Sequence, residues 1–161
     1  MEPPSGDEVA AIIAAAPRAK LILRVLAETG MRVGEACALE WRDVDLDGIR
    51  FRIRDGKTAA ARRWVDVPEA VMLDVAASIP PDDRHAEARV FPGVTGNTVG
   101  AMMRRACERA GTAHHTPHSL RHRWASVQIA RGVPVTQVAA HLGHSKKSLT
   151  LDTYSHVLLH E

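Results

Sequence analysis

Residues 49–67 read IRFRIRDGKTAAARRWVDV, and this stretch decides between an all-helical chain and one that carries a sheet. Ile49, Phe51 and Ile53 alternate with Arg50, Arg52 and Arg54. A period of two belongs to a strand, here with one apolar and one basic face. Asp55-Gly56 marks a turn, because glycine reaches the positive φ that tight hairpins need. Val65 and Val67 then stand opposite Trp64 and Asp66 in a second strand that stops at Pro68, which has no N–H for a ladder. The stretch is predicted to be an antiparallel hairpin with Lys57 at or beside its tip.

Outward from the hairpin the periodicity becomes helical. Ser5-Gly-Asp-Glu8 has the spacing of a capping box, so a helix starts near residue 6. Pro17 is predicted to open a second helix, with Leu21, Ile22, Val25 and Leu26 as its buried stripe and Gly30 as its end. A short helix follows from Val33 to about Leu39, with Trp41 and Val44 packing after it. Beyond the hairpin, Val71–Ala77 reads as helix, Pro80–Glu87 as a polar loop and Arg89-Val-Phe91 as a short third strand. Thr98–Ala110 is a basic amphipathic helix ending at Gly111. A helix opened by Pro117 runs to about Ala130, another spans Val135–Leu142, and a last one starts at Leu149 and reaches Tyr154. The fold class is α+β: a mainly helical single domain with a small antiparallel hairpin or three-stranded sheet.

A chain of 161 residues suits one domain with a sizeable core. It has no apolar run long enough to cross a bilayer and no secretory signal pattern. Cys37 and Cys107 lack a CxxC spacing and read as small core residues of a reducing cytoplasm. The net charge of +2 says little, but its distribution says more. Residues 50–63 hold six Arg or Lys against one acid, and residues 104–131 hold six Arg against one acid. Residues 66–87 reverse this with six acids against one base. Such segregation fits one cationic face for a polyanion, although charge clusters are often only solvated faces.

Within Thr116–Ser126, TPHSLRHRWAS, the residues His118, Arg121 and His122 fall three and four apart just behind Pro117. One helical face then carries two imidazoles and a guanidinium near a helix N-terminus, an arrangement suited to a phosphate. Arg32, behind a helix-ending glycine, Lys57 at the hairpin tip, His144 in LGH and the single tyrosine, Tyr154, join this set. Each has an ordinary reading as a surface ion pair, a solubilising lysine or packing. Together they fit metal-free phosphoryl transfer at a DNA backbone. Two arginines can clamp the non-bridging oxygens and the charge that develops on them. The tyrosine hydroxyl, with a reference pKa of about 10, must lose its proton to attack, and His118 can accept it. Lysine can protonate the departing 5′ oxygen, and such groups typically contribute about 10²–10⁴ in rate.

These residues carry a resemblance to the catalytic domain of the tyrosine recombinases, the phage integrase family. TGMRVGEACALEWRDVD resembles that family's first arginine box, which implies Arg32 as the first catalytic arginine and Glu35 as its buttress. GKTAAARRWVDVP resembles the hairpin of the catalytic lysine, Lys57; HSLRHRWAS resembles the second box, with His118 and Arg121. LGHSKKSLTLDTYSHV resembles the terminal box, with His144 and the nucleophile Tyr154. The implied reaction is strand cleavage to a 3′-phosphotyrosyl link and a free 5′-hydroxyl, rejoined by a hydroxyl from another duplex, with neither metal nor other cofactor. Double-stranded DNA is the implied partner, met by Arg50, Arg52, Arg54, Arg62, Arg63, Arg104 and Arg105, in a cytoplasmic protein. Family members usually add an N-terminal clamp domain and a helix beyond the tyrosine. The resemblance therefore implies a catalytic domain over residues 1–161 with a short tail, from a parent that works as a homotetramer on DNA. Arg123-Trp124 departs from the small hydroxyl and phenylalanine expected in the second box.

Three rivals remain at this level. Gly132–His144 also reads like part of a helix-turn-helix, which would make the chain a binding module with no role for Tyr154 or Lys57. His114, His115, His118 and His122 suggest a zinc site, but HSLRH lacks the glutamate of HExxH. Within the family, a relaxing activity like that of type IB topoisomerases would use the same intermediate.

Overall fold

The computed structural model describes residues 2–158 and all of their side chains except those of residues 147, 149 and 156–158. The hairpin is present as part of a three-stranded antiparallel sheet in which β1 (Val44–Asp45), β2 (Arg50–Ile53) and β3 (Arg63–Asp66) lie in that order. Val44 pairs with Phe51, Phe51 with Val65, and Ile53 with Arg63. Opposed residues share a face, so Phe51, Ile53, Val65 and Arg63 all point to the same side, which is the core side.

Two expectations are corrected here. The third strand is Val44–Asp45, not Arg89–Phe91. Arg89 makes only an isolated bridge to Glu40, and Val90 and Phe91 are buried by packing instead of by a ladder. A two-residue strand is too short to show a period, so it left no signal. The β2–β3 connection is also not closed by a turn at Asp55-Gly56. It spans residues 54–62 and folds back through a 3₁₀ turn at Ala59–Ala61. Gly56 is needed there because a Cβ would stand 2.2 Å from that of Ala61.

Helices surround the sheet. α1 (Gly6–Ala14) starts with the expected capping box, the Glu8 carboxylate accepting from the Ser5 N–H and Ser5 Oγ from the Glu8 N–H. α2 (Lys20–Thr29) begins three residues after Pro17, because residues 17–19 turn to bury Ala16 and Ala19 first. It ends at Gly30, whose φ of 69° is the left-handed cap that glycine supplies. α3 (Val33–Ala38), α4 (Glu69–Ala76), α5 (Gly96–Ala110), α6 (Pro117–Ala130) and α7 (Val135–Leu142) follow. α8 (Lys147–Leu158) starts earlier and runs further than expected. No helix among the described residues is long and apolar enough to cross a membrane.

Two apolar clusters hold these elements. The larger joins α1–α5, the sheet and Leu120 at the start of α6. Leu23, Leu26, Phe51 and Val65 are fully enclosed in it, each worth about 1.5–3 kcal/mol of burial. The smaller joins Ala125, Ile129, Val138, Leu142 and Tyr154 from α6, α7 and α8. Cys107 is buried and Cys37 half-buried, both as free thiols.

Candidate active site

Arg32 caps the start of α3, where its backbone N–H donates to Glu35 Oε2 at 3.0 Å and its Nη1 to Glu35 Oε1 at 3.1 Å. Glu35 is held from the other side by Arg63, whose two terminal nitrogens reach its two oxygens at 3.0 and 3.1 Å. Burial works to raise the Glu35 pKa, but the hydrogen bonds and charge of Arg63, and then those of Arg32, outweigh it and hold the carboxyl below its usual range.

The second arginine, Arg121, lies on the first turns of α6 and is 4% exposed. No carboxylate meets it among the described residues. Its Nη1 donates to the Gly30 carbonyl at 2.8 Å and its Nη2 to the Leu142 carbonyl at 2.7 Å. These are the C-terminal ends of α2 and α7, where unpaired carbonyls and the helix dipole concentrate negative potential. That explains why a guanidinium can be buried there as a cation. Burial, and then Arg32, push its pKa down to about 10, well above neutrality. The end of α7 takes two further arginines: Arg63 Nε donates to the His141 carbonyl at 2.6 Å, and Arg32 Nη1 reaches the Leu142 carbonyl at 3.4 Å.

Just beyond this end, after the left-handed Gly143, stands His144. Its Nδ1 meets the buried Thr150 hydroxyl at 2.5 Å. Burial first, then Arg121, Arg32 and Arg63, bring its pKa down to about 4, so at neutral pH it is an uncharged hydrogen-bonding group. His118 is exposed on α6, and its pKa is lowered by burial and by Arg121 and Arg32. Arg32, Glu35, Lys57, His118, Arg121 and His144 all line one cleft of about 710 Å³. The sequence-derived residues thus converge from α3, the hairpin, α6 and the α7–α8 turn.

Tyr154 is near this cleft but does not line it. It is 4% exposed within the smaller apolar cluster, and its hydroxyl meets His122 Nδ1 at 2.9 Å. His122 in turn contacts His118 edge-to-face, with ring centroids 4.4 Å apart. Burial raises the Tyr154 pKa, opposed by Arg121, so the phenol stays protonated here. The sequence placed His122 on the right helical face but gave it no part in the tyrosine chemistry. The signal was its spacing, four residues after His118 and one after Arg121.

The profile of the phage integrase family matches residues 5–161. This chain belongs to that family. It is 34% identical over 157 residues to the tyrosine recombinase XerC of Corynebacterium glutamicum, an alignment covering 87% of this chain and 47% of that protein. The chain spans about half the length of the curated relatives it matches. The crystal structure of XerA recombinase superposes with a TM-score of 0.78 at 28% identity, over 99% of this chain and 62% of that one. The catalytic domain of bacteriophage HP1 integrase shares the fold, with a TM-score of 0.71 at 20% identity over 98% of this chain and 88% of that one.

In this phage integrase fold the cationic residues divide. Arg63 is corrected from a DNA contact to a buried clamp: its side chain is 8% exposed and committed to Glu35 and backbone carbonyls. Arg50 pairs with Asp45 at 2.9 Å, and its guanidinium lies 3.9 Å from the centre of the Trp64 ring. Arg52 and Arg54 pair with Asp43, and Arg54 also with Glu40. The basic face of β2 is therefore neutralised by acids from residues 40–45. Arg62, Arg104 and Arg105 are exposed, as is Lys57. Of the histidines of the zinc alternative, His118 and His122 touch each other, whereas His115 is buried and faces Glu8 at 3.5 Å.

Proposed function

We propose that this chain is the catalytic domain of a tyrosine site-specific recombinase, cutting and rejoining double-stranded DNA through a 3′-phosphotyrosyl intermediate. The observation that carries this reading is the convergence of Arg32, Arg121, His118, His144 and Lys57 on one cleft with Tyr154 beside it. Arg32 and Arg121 take the non-bridging oxygens of the scissile phosphate, where charge accumulates in the transition state. Tyr154 leaves His122, turns toward the phosphate and gives its proton to His118. Its oxygen bonds to phosphorus as the bond to the 5′ oxygen breaks, and Lys57 supplies the proton that makes this oxygen a hydroxyl. Neutral His144 hydrogen-bonds a phosphate oxygen: where Thr150 donates to Nδ1, Nε2–H is left to donate. The reverse attack by a 5′-hydroxyl, from the same or another duplex, restores Tyr154 and joins the strand. Glu35 buttresses Arg32, while Arg62, Arg104 and Arg105 contact flanking phosphates. The parent protein assembles as a homotetramer on its site in the cytoplasm.

The test is an SDS-resistant protein–DNA adduct on a nicked duplex in EDTA. The duplex is recovered from a randomised library by covalent capture with the wild type. Wild type is expected to form the adduct and Tyr154→Phe to bind DNA without forming it. Binding without any adduct in either protein would make this a binding module instead.

A further inference from the structure

We propose that Arg63 is a positioning residue, a single guanidinium that fixes the relative placement of Arg32, the Lys57 hairpin and His144. This rests on the catalytic reading above. Three segments that are far apart in the chain meet on its one side chain. Two nitrogens hold the Glu35 carboxylate, which in turn holds Arg32. Nη1 also donates to the Ala61 carbonyl at 2.7 Å, anchoring the turn that closes back onto Gly56 beside Lys57. Nε donates to the His141 carbonyl at 2.6 Å, three residues before His144. Gly143 completes the seat: a Cβ there would lie 2.7 Å from Arg63 Nη1, so a larger residue would push the guanidinium away.

The geometry needs arginine in particular. Five donors in a rigid plane let one group serve a bidentate carboxylate and two carbonyls in different directions. A lysine in its place keeps the charge but cannot fill these directions together. An ion pair that only stabilised the fold would need just the Glu35 contact. The contacts to Ala61 and His141 instead tie the acid-bearing hairpin and the histidine turn to the arginine that binds phosphate. Lys57 has no partner of its own among the described residues and is exposed, so its aim depends on how the hairpin is anchored.

The test uses Arg63→Lys in the full chain, with the captured nicked duplex made in two forms, one with the normal 5′ oxygen and one with sulfur in that bridging position. Sulfur leaves without being protonated, so Lys57 contributes little to its departure. With general acid catalysis worth about 10²–10⁴, a misaimed lysine should slow single-turnover adduct formation on the oxygen substrate by about 10–100-fold. The loss on the sulfur substrate should be several-fold smaller, while DNA affinity stays at the wild-type value. Wild-type rates in Arg63→Lys, or an equal loss on both substrates, would overturn the proposal. A second measurement needs no DNA. In amide NMR spectra, Arg63→Lys should shift residues 32–35, 56–61 and 141–144 together and leave Phe51 and Val65 in place. Shifts confined to the neighbours of residue 63 in sequence would overturn the clamp even if the wild type formed no adduct. That last result on its own would refute the catalytic reading.

Discussion

Acid should unfold this protein partly through His144, and replacing that one side chain should blunt the effect. Its pKa falls from an ordinary 6.5 to about 4 in the folded state, because burial and three arginines oppose its charge. Between those values the unfolded chain holds a proton on residue 144 that the folded chain does not, so stability falls as the pH drops through 6.5 toward 4. At about 1.36 kcal/mol per pKa unit, the shift sets a ceiling of about 3 kcal/mol. The imidazole partly faces cleft water, and screening there reduces the effect to about 1–2 kcal/mol. Urea unfolding of wild type and His144→Gln at pH 7.5 and pH 5, at one ionic strength, measures it. Wild type should lose about 1–2 kcal/mol more than the variant between the two conditions. His118, His122 and His141 also have lowered pKa values, but they are present in both proteins and largely cancel. Equal losses, or a His144 titration midpoint near 6.5 by NMR, would refute the reasoning. The result bears on the proposed mechanism, in which an uncharged His144 offers the phosphate a hydrogen bond and leaves the positive charge to the arginines.

Tyr154→Phe should abolish the covalent adduct yet leave the fold intact, costing about 0.5–1.5 kcal/mol in urea for the lost His122 hydrogen bond. Gly30→Ala places a methyl group 2.7 Å from the Trp124 ring at a φ of 69°. It should lower stability by about 1–3 kcal/mol in the same assay, combining left-handed strain with overpacking. Because the Gly30 carbonyl also holds Arg121, adduct formation should slow as well. Replacing Arg104 and Arg105 together by alanine should flatten the dependence of log K on log salt by about 0.9 for each phosphate contact removed.

The helical skeleton was legible because its punctuation is local. The Ser5–Glu8 box, Gly30, Gly111 and Pro117 mark ends by chemistry that acts within a turn. The candidate site was legible because the residues proposed for it stand in contiguous words, and the fold brings Arg32, Lys57, His118, Arg121 and His144 from those words to one cleft. Charge was read less well, because charge counted along the chain ignores what folds beside it. Arg50, Arg52 and Arg54 look unopposed until β1 and the turn before it bring Asp43, Asp45 and Glu40 alongside. Arg63 could have been placed correctly from its own strand, since a period of two puts it on the face of Val65 and Val67. The role of His122 depends on where α8 docks, thirty-two residues away, which no local pattern reports.

The division of apolar packing into two clusters separates the durability of the proposed phosphate-binding groups from that of the proposed nucleophile. Leu120 seats the start of α6, and with it His118 and Arg121, on the large core; Tyr154 depends on a handful of side chains from α6, α7 and α8. Detaching α8 exposes far less apolar surface than unfolding the chain, so it is a low-lying local opening with its own free energy. Warming should therefore silence the proposed strand cleavage while most of the molecule is still folded, and cooling should restore it at once. The temperature range of activity would then report on the docking of one helix, and changes to Ile129, Val138 or Leu142 would move that range with little effect on the melting of the rest.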